Sequence, residues 1–180
     1  MGKVYKRTVR YKCMRAIHYQ GKAFGKSGKV LIESGDGDLF VPGMINICLS
    51  VEIFLKSINA STTNLEDEVE VNGTTCYIGR DETLEILPSG KGHALSKLFD
   101  GLPVDIRNEI TQHAKLEGYG ECVSKGLKIY DNVFVDWRYI YERNDPKSLG
   151  THPLFQLVNA ISRYCNENLE KVICCSSDEI

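Results

Sequence analysis

The side chains with the widest chemical reach are seven cysteines and four histidines: Cys13, Cys48, Cys76, Cys122, Cys165, Cys174 and Cys175, with His18, His93, His113 and His152. Thiolates and imidazoles ligate zinc and its neighbours, and both can carry protons or attack an electrophile. Spacing argues against a metal here. There is no CxxC pair, and the histidines are too scattered for a spaced ligand motif. The sequence therefore predicts no metal and no cofactor, with the thiols reduced. Cys48 and Cys165 fall on apolar helical stripes and read as small core residues. Cys174–Cys175 reads as an exposed, chance pair. No serine sits in a G-x-S-x-G elbow. The stretch GKAFGKS (21–27) is one residue short of a phosphate loop and has no strand before it, so it is not read as a nucleotide site. His93 is expected to cap its own helix through a side-chain hydrogen bond.

The charges are unevenly placed. Residues 1–32 hold nine Lys/Arg and no Asp/Glu, which leaves 13 of the 22 basic residues against all 24 acidic ones in the remainder. Lys3, Lys6, Arg7, Arg10, Lys12 and Arg15 crowd the front of this arm. Two readings stay open. The arm binds the phosphates of RNA and releases counterions, or it pairs with the acidic body of its own chain.

A length of 180 residues suggests one domain with a core of its own. The 42% hydrophobic and 26% charged residues exclude a disordered or low-complexity chain. The N-terminal stretch lacks the apolar block of a secretory leader, and the apolar runs look too short to cross a membrane. A cytoplasmic protein with no membrane partner is expected. Residues 13–33 read as a helix whose Gly21, Gly25 and Gly28 share one face, a pattern that predicts close approach of a neighbouring backbone. Residues 43–59 carry the strongest helical stripe (Met44, Ile47, Cys48, Val51, Phe54, Leu55 and Ile58) and should lie at the centre of the core; Pro42 is placed just before its start. EVEV-NG-TTCY reads as a hairpin turning on Asn72–Gly73. Further helices are expected over 93–102, 104–116, 129–142 and 153–172. Tyr130, Phe134, Trp137 and Tyr141 line one side of the 129–142 helix. The expected fold class is all-α: a helical bundle with a small β-hairpin insertion near 68–78. The expected organisation is a basic arm over 1–40, a bundle over 41–172 and a mobile tail over 173–180.

Three segments together resemble the HEPN domain family. GMINICLSVEIFLKSINA (43–60) is similar to that family's first core helix, with Glu52, Leu55 and Lys56 in place. KGHALSKLFDGLP (91–103) resembles its His-x-Leu-x-x-Leu segment through His93, Leu95 and Leu98. FVDWRYIYE (134–142) resembles a later helix with an aromatic residue and an Arg-Tyr pair, here Trp137, Arg138 and Tyr139. The resemblance covers about residues 40–170.

The resemblance implies a small helical bundle, commonly a homodimer, that acts on or binds RNA. Many members are metal-independent endoribonucleases of prokaryotic defence or toxin–antitoxin systems, with Arg-x(4–6)-His in the active ones. There Arg would stabilise phosphorane charge and His would move protons. Arg107, Asn108 and His113 have the spacing; Arg143, Asn144 and His152 have the position but eight residues between Arg and His. The alternative is a catalytically silent helical interaction module, with a partner protein from the same operon. In either case Glu52, Lys56, His93, Arg138 and Tyr141 are candidates for a polar network that fixes the bundle.

Overall fold

The strongest apolar stripe forms a helix longer than the stripe itself. In the computed structural model, which describes residues 3–131, 133–137 and 150–180, helix α2 spans Gly37–Ser57. Its N-cap is Asp36, whose carboxylate accepts a hydrogen bond from the Asp38 amide at 2.9 Å. Pro42 therefore lies inside the helix and not just before it. Met44, Ile47, Cys48, Val51, Phe54 and Leu55 are all buried. Among the described helices α2 alone is long and apolar enough to cross a membrane, and half of that stretch is buried inside the protein. That is the composition of a central core helix.

Helix α1 (Arg15–Glu33) lies antiparallel against α2. A Cβ added to Gly28 would meet the Gly43 carbonyl oxygen at 2.8 Å, and one added to Gly25 would meet Ser50 Oγ at 2.8 Å. The expected close approach is present, and Gly43 on α2 takes part in it. Ser50 Oγ donates to the Gly21 carbonyl at 2.7 Å, a bond between helices that only this proximity permits. Helices α3 (Leu95–Asp100), α4 (Val104–Leu116), α5 (Val123–Ile129) and α6 (Val133–Asp136) follow, and α7 (Thr151–Glu167) packs on α2 and α4. Leu154, Leu157, Ile161, Tyr164 and Cys165 of α7 are fully buried.

The fold is not all-α. A five-stranded antiparallel sheet stands beside the helices, in the order β3–β2–β1–β5 with the short β4 on the same edge of β2 as β3. Its strands are β1 (Val4–Tyr11), β2 (Ser61–Val71), β3 (Thr74–Gly79), β4 (Glu85–Leu87) and β5 (Val172–Glu179). The helical-bundle expectation, and with it the HEPN-like architecture, is overturned by this sheet. The expected hairpin exists, and Asn72 and Gly73 take the positive φ values (52° and 75°) of a type I′ turn. It is one corner of a larger sheet, and β2 runs back to Ser61.

Two termini are corrected as well. The front of the basic arm is β1, hydrogen-bonded on both edges, to β2 and to β5. The stretch 173–180, expected as a mobile tail, supplies most of strand β5, and α7 ends at Glu167. The expected helix 129–142 is also different: α5 ends at Ile129, Tyr130 caps it, and α6 begins at Val133. Tyr130 and Trp137 of the aromatic stripe are buried, while Tyr141 lies outside the described residues.

Candidate functional site

β1, β2 and β4 place three residues side by side. In antiparallel pairing, residues directly opposite share a face, and the register sets Arg10 opposite Ser61 and Ser61 opposite Leu87. Beyond Leu87 the chain turns through Pro88, Ser89, Gly90 and Lys91 toward α3. This turn is tied to the end of α2, because the Ser89 amide donates to the Lys56 carbonyl at 3.0 Å. Gly90 has φ +72°, and a Cβ there would meet Leu98 Cδ2 at 2.8 Å, so the turn requires glycine. The result is a groove of about 390 Å³ between one sheet face and α3.

Arg10, Lys91 and Lys97 line this groove with Asn59, Ser61 and Ser89, and none of the lining residues is acidic. Among the described residues the three cations make no side-chain hydrogen bond or ion pair. Asn59 sits at φ 60°, and its Oδ1 is buried without a hydrogen-bond partner. The groove thus offers three positive charges and the hydroxyl-bearing side chains of Ser61 and Ser89. None of the lining residues is a His, Cys, Asp, Glu or Tyr.

The other basic residues of the arm divide. Lys3 pairs with Glu179 at 3.0 Å, and Arg7 with Glu66 at 3.2 Å, so for these two the intramolecular reading holds. Lys6 shares the sheet face of Arg10, four residues along β1. Lys6, Lys12 and the Arg15 side chain make no ion pair among the described residues; the Arg15 amide donates to Glu170 Oε1 at 2.8 Å. GKAFGKS lies within α1, which leaves no loop to cradle a phosphate.

The Arg/His candidates are placed as follows. Arg107 and His113 both belong to α4, where six positions of separation mean about 9 Å along the axis and about 120° around it. The helix does not aim them at one point. His113 Nε2 faces Glu167 Oε2 at 3.3 Å, while His113 Nδ1 and Arg107 Nε are buried without partners. Asn108 is exposed. His152 is exposed in the first turn of α7, and Arg143 and Asn144 lie outside the described residues.

The polar network forms in part. Glu52, 5% exposed, receives Lys56 Nζ at 2.8 Å and lies 3.0 Å from His93 Nδ1. His93 therefore bonds to α2 instead of capping α3. That helix is capped by Asp131, which accepts from the Ser96 amide at 2.7 Å and the Ser96 hydroxyl at 2.6 Å. Arg138 and Tyr141 lie outside the described residues.

One cluster was missed in the sequence. Cys13, His18 and Cys165 are all buried, and their donor atoms lie within 4.8 Å of one another. Hydrogen bonding with Cys165 pulls the Cys13 thiol down, against the effect of burial, while burial drives the Cys165 thiol well above its ordinary range. No signal of spacing could reveal this, since Cys165 arrives from the far end of the chain. Cys48 is the core residue expected, and burial pushes its thiol up to about 12.

No family model matches the sequence, and no curated protein or solved structure is significantly similar to it.

Proposed function

We propose that this chain is a binding protein for a phosphate-bearing ligand, held in the groove between β1, β4 and α3. One observation carries the reading: Arg10, Lys91 and Lys97 converge on a cavity of about 390 Å³ with no acidic lining residue. Like charges placed together without counter-charges are unfavourable in the free protein and become favourable when an anion sits among them. The volume falls in the range of small-molecule sites. Guanidinium and ammonium groups are the usual partners of phosphate oxygens.

The test is direct titration, followed by fluorescence anisotropy with a short labelled single-stranded oligoribonucleotide and by calorimetry with a nucleoside monophosphate and inorganic phosphate. Arg10→Glu and Lys97→Glu should each weaken binding by about tenfold or more, whereas Lys29→Glu, away from the groove, should not. If the ligand is a strand touching all three cations, log K should fall with log salt at a slope of about −2, and each lost contact should reduce that slope. If it is a small phosphate compound, the monophosphate should bind on its own and compete with the oligonucleotide. Affinity that ignores both groove variants refutes the reading, as does failure of all three probes to bind.

A further inference from the structure

The junction between β1 and α1 holds a second site of different chemistry, independent of the groove. Cys13 follows β1, where backbone bridges tie it to Ile58 on one side and Leu169 on the other. His18 is one turn further on, in α1. Cys165 comes from α7. All three are 0% exposed. Ser57, at the end of α2, sits among them, with its Oγ 3.3 Å from Cys13 Sγ and 3.7 Å from Cys165 Sγ.

His18 supplies the second observation. Its Nε2 is engaged at 3.1 Å with Oδ1 of Asn166, an exposed residue of α7. Its Nδ1 is buried with no hydrogen-bond partner. A ring that donates Nε2–H outward to a side-chain carbonyl carries its lone pair on Nδ1, and this ring has a nitrogen within 4.8 Å of both sulfurs. This is the arrangement by which metal-bound histidines are held, with the far nitrogen donating to a carbonyl or carboxylate. The ring is further fixed against Phe54, with centroids 5.1 Å apart.

We propose that Cys13, His18 and Cys165 bind one Zn²⁺ ion, with Ser57 Oγ in the fourth position. Two thiolates and a neutral imidazole are a soft-to-borderline donor set suited to zinc. Charge favours the same ion. Zn²⁺ with two thiolates is neutral, whereas a monovalent copper ion would leave a net negative charge in a fully buried site, at considerable desolvation cost. Geometry agrees as well. Around a tetrahedral zinc with ordinary bond lengths, sulfur–oxygen edges are about 3.6 Å, and Ser57 Oγ stands 3.3 and 3.7 Å from the two sulfurs. The Ser57 hydroxyl donates its proton to the Phe54 carbonyl at 2.6 Å, which leaves its lone pairs for the ion. The metal takes the sulfurs as thiolates, so binding releases thiol protons and couples to folding. The ion would clamp β1–α1, α2 and α7 at one point.

The test is metal analysis of the full chain, purified under reducing, anaerobic conditions from medium supplied with zinc. The expected result is about one zinc per chain, falling to background in Cys165→Ser and His18→Asn, and unchanged in the Cys174→Ser/Cys175→Ser double variant. To keep the test independent of how the buried variants fold, wild-type protein is also unfolded, stripped and refolded with Co²⁺. A thiolate-to-cobalt charge-transfer band together with the intense visible bands of tetrahedral cobalt is the expected signature. Refolded wild type that takes up neither Zn²⁺ nor Co²⁺ overturns the proposal. So does copper in place of zinc, zinc lost with the Cys174/Cys175 pair, or a Cys13–Cys165 disulfide in protein kept reduced throughout.

Discussion

Substituting Gly28 with alanine tests whether α1 lies on α2 as closely as described. In an open helix the change is favourable by about 1 kcal/mol, because alanine loses less backbone entropy. Here the new Cβ would stand 2.8 Å from the Gly43 carbonyl oxygen and 2.9 Å from two Ile47 carbons. Ordinary contact needs upwards of 3.4 Å, so the helices must separate by about half an ångström or Ile47 must leave its rotamer. The Gly43 oxygen belongs to the backbone of the central helix and has little room to yield. Overpacking of this kind costs about 1–3 kcal/mol, and the backbone clash puts the case at the upper end. Subtracting the propensity gain leaves a net loss of about 1–2 kcal/mol. For a domain of this size that is a fall in Tm of about 2–8 °C. Gly37→Ala is the control, since a Cβ there meets nothing within 4 Å and φ is not positive; it should be neutral or slightly stabilising. Urea unfolding followed by far-UV circular dichroism reads both. Gly28→Ala as stable as Gly37→Ala would show that the two helices do not touch through their glycines.

Other substitutions and conditions report on different parts of the fold. Leu55, 1% exposed at the centre of α2, should cost about 2–5 kcal/mol when changed to alanine, and an unchanged melt would remove α2 from the core. Asp131→Ala strips the cap of α3 and should cost about 0.5–2 kcal/mol by chemical denaturation, while Asp131→Asn should recover part of it. At high pH several of the nine tyrosines should ionise late. The hydrogen bond to Glu68, with burial, holds Tyr5 up to about 12; burial holds Tyr130 up to about 12 and Tyr164 higher still. The folded protein then keeps phenol protons that the unfolded chain gives up near pH 10. The stability they contribute is intact below about pH 10 and is lost as pH rises toward 12. A phenolate absorbance titration in which all the tyrosines of the native protein ionise together near pH 10 would contradict this.

The parts of the fold that could be read in the sequence are those with one buried face. Met44 to Leu55 announced α2 because their burial repeats at the helical period. Gly21, Gly25 and Gly28 announced a close neighbour because nothing else explains three glycines on one side of a helix. Asn72–Gly73 announced its turn because few residue pairs accept two positive φ angles. The sheet gave no such signal. β1 reads VYKRTVRY, with Lys6, Arg7 and Arg10 breaking any apolar alternation, and β5 is exposed along its whole length. These strands are held by backbone pairing and by cross-strand contacts such as Arg7–Glu66 and Tyr5–Tyr77. With no face turned to the core, periodicity had nothing to report. The same holds for the groove. Arg10 stood out in a basic run, but Lys91 and Lys97 are ordinary surface lysines until the turn at Gly90 carries them to it.

The pairing of β1 on both edges has a kinetic meaning. Arg10 is matched to Ser61 on one side and to Cys174 on the other. During synthesis the first partner emerges early and the second only after α7 has been made. Through that interval β1 exposes a row of unsatisfied amides and carbonyls, the template on which chains join one another. Contacts so distant along the chain are also slow to form, because loop closure must precede any gain from pairing. The helices, whose contacts are mostly nearer in sequence, can settle first. A nascent chain halted before Val172 would then be helical and half-folded, with an open strand edge ready to take up the edge of another copy.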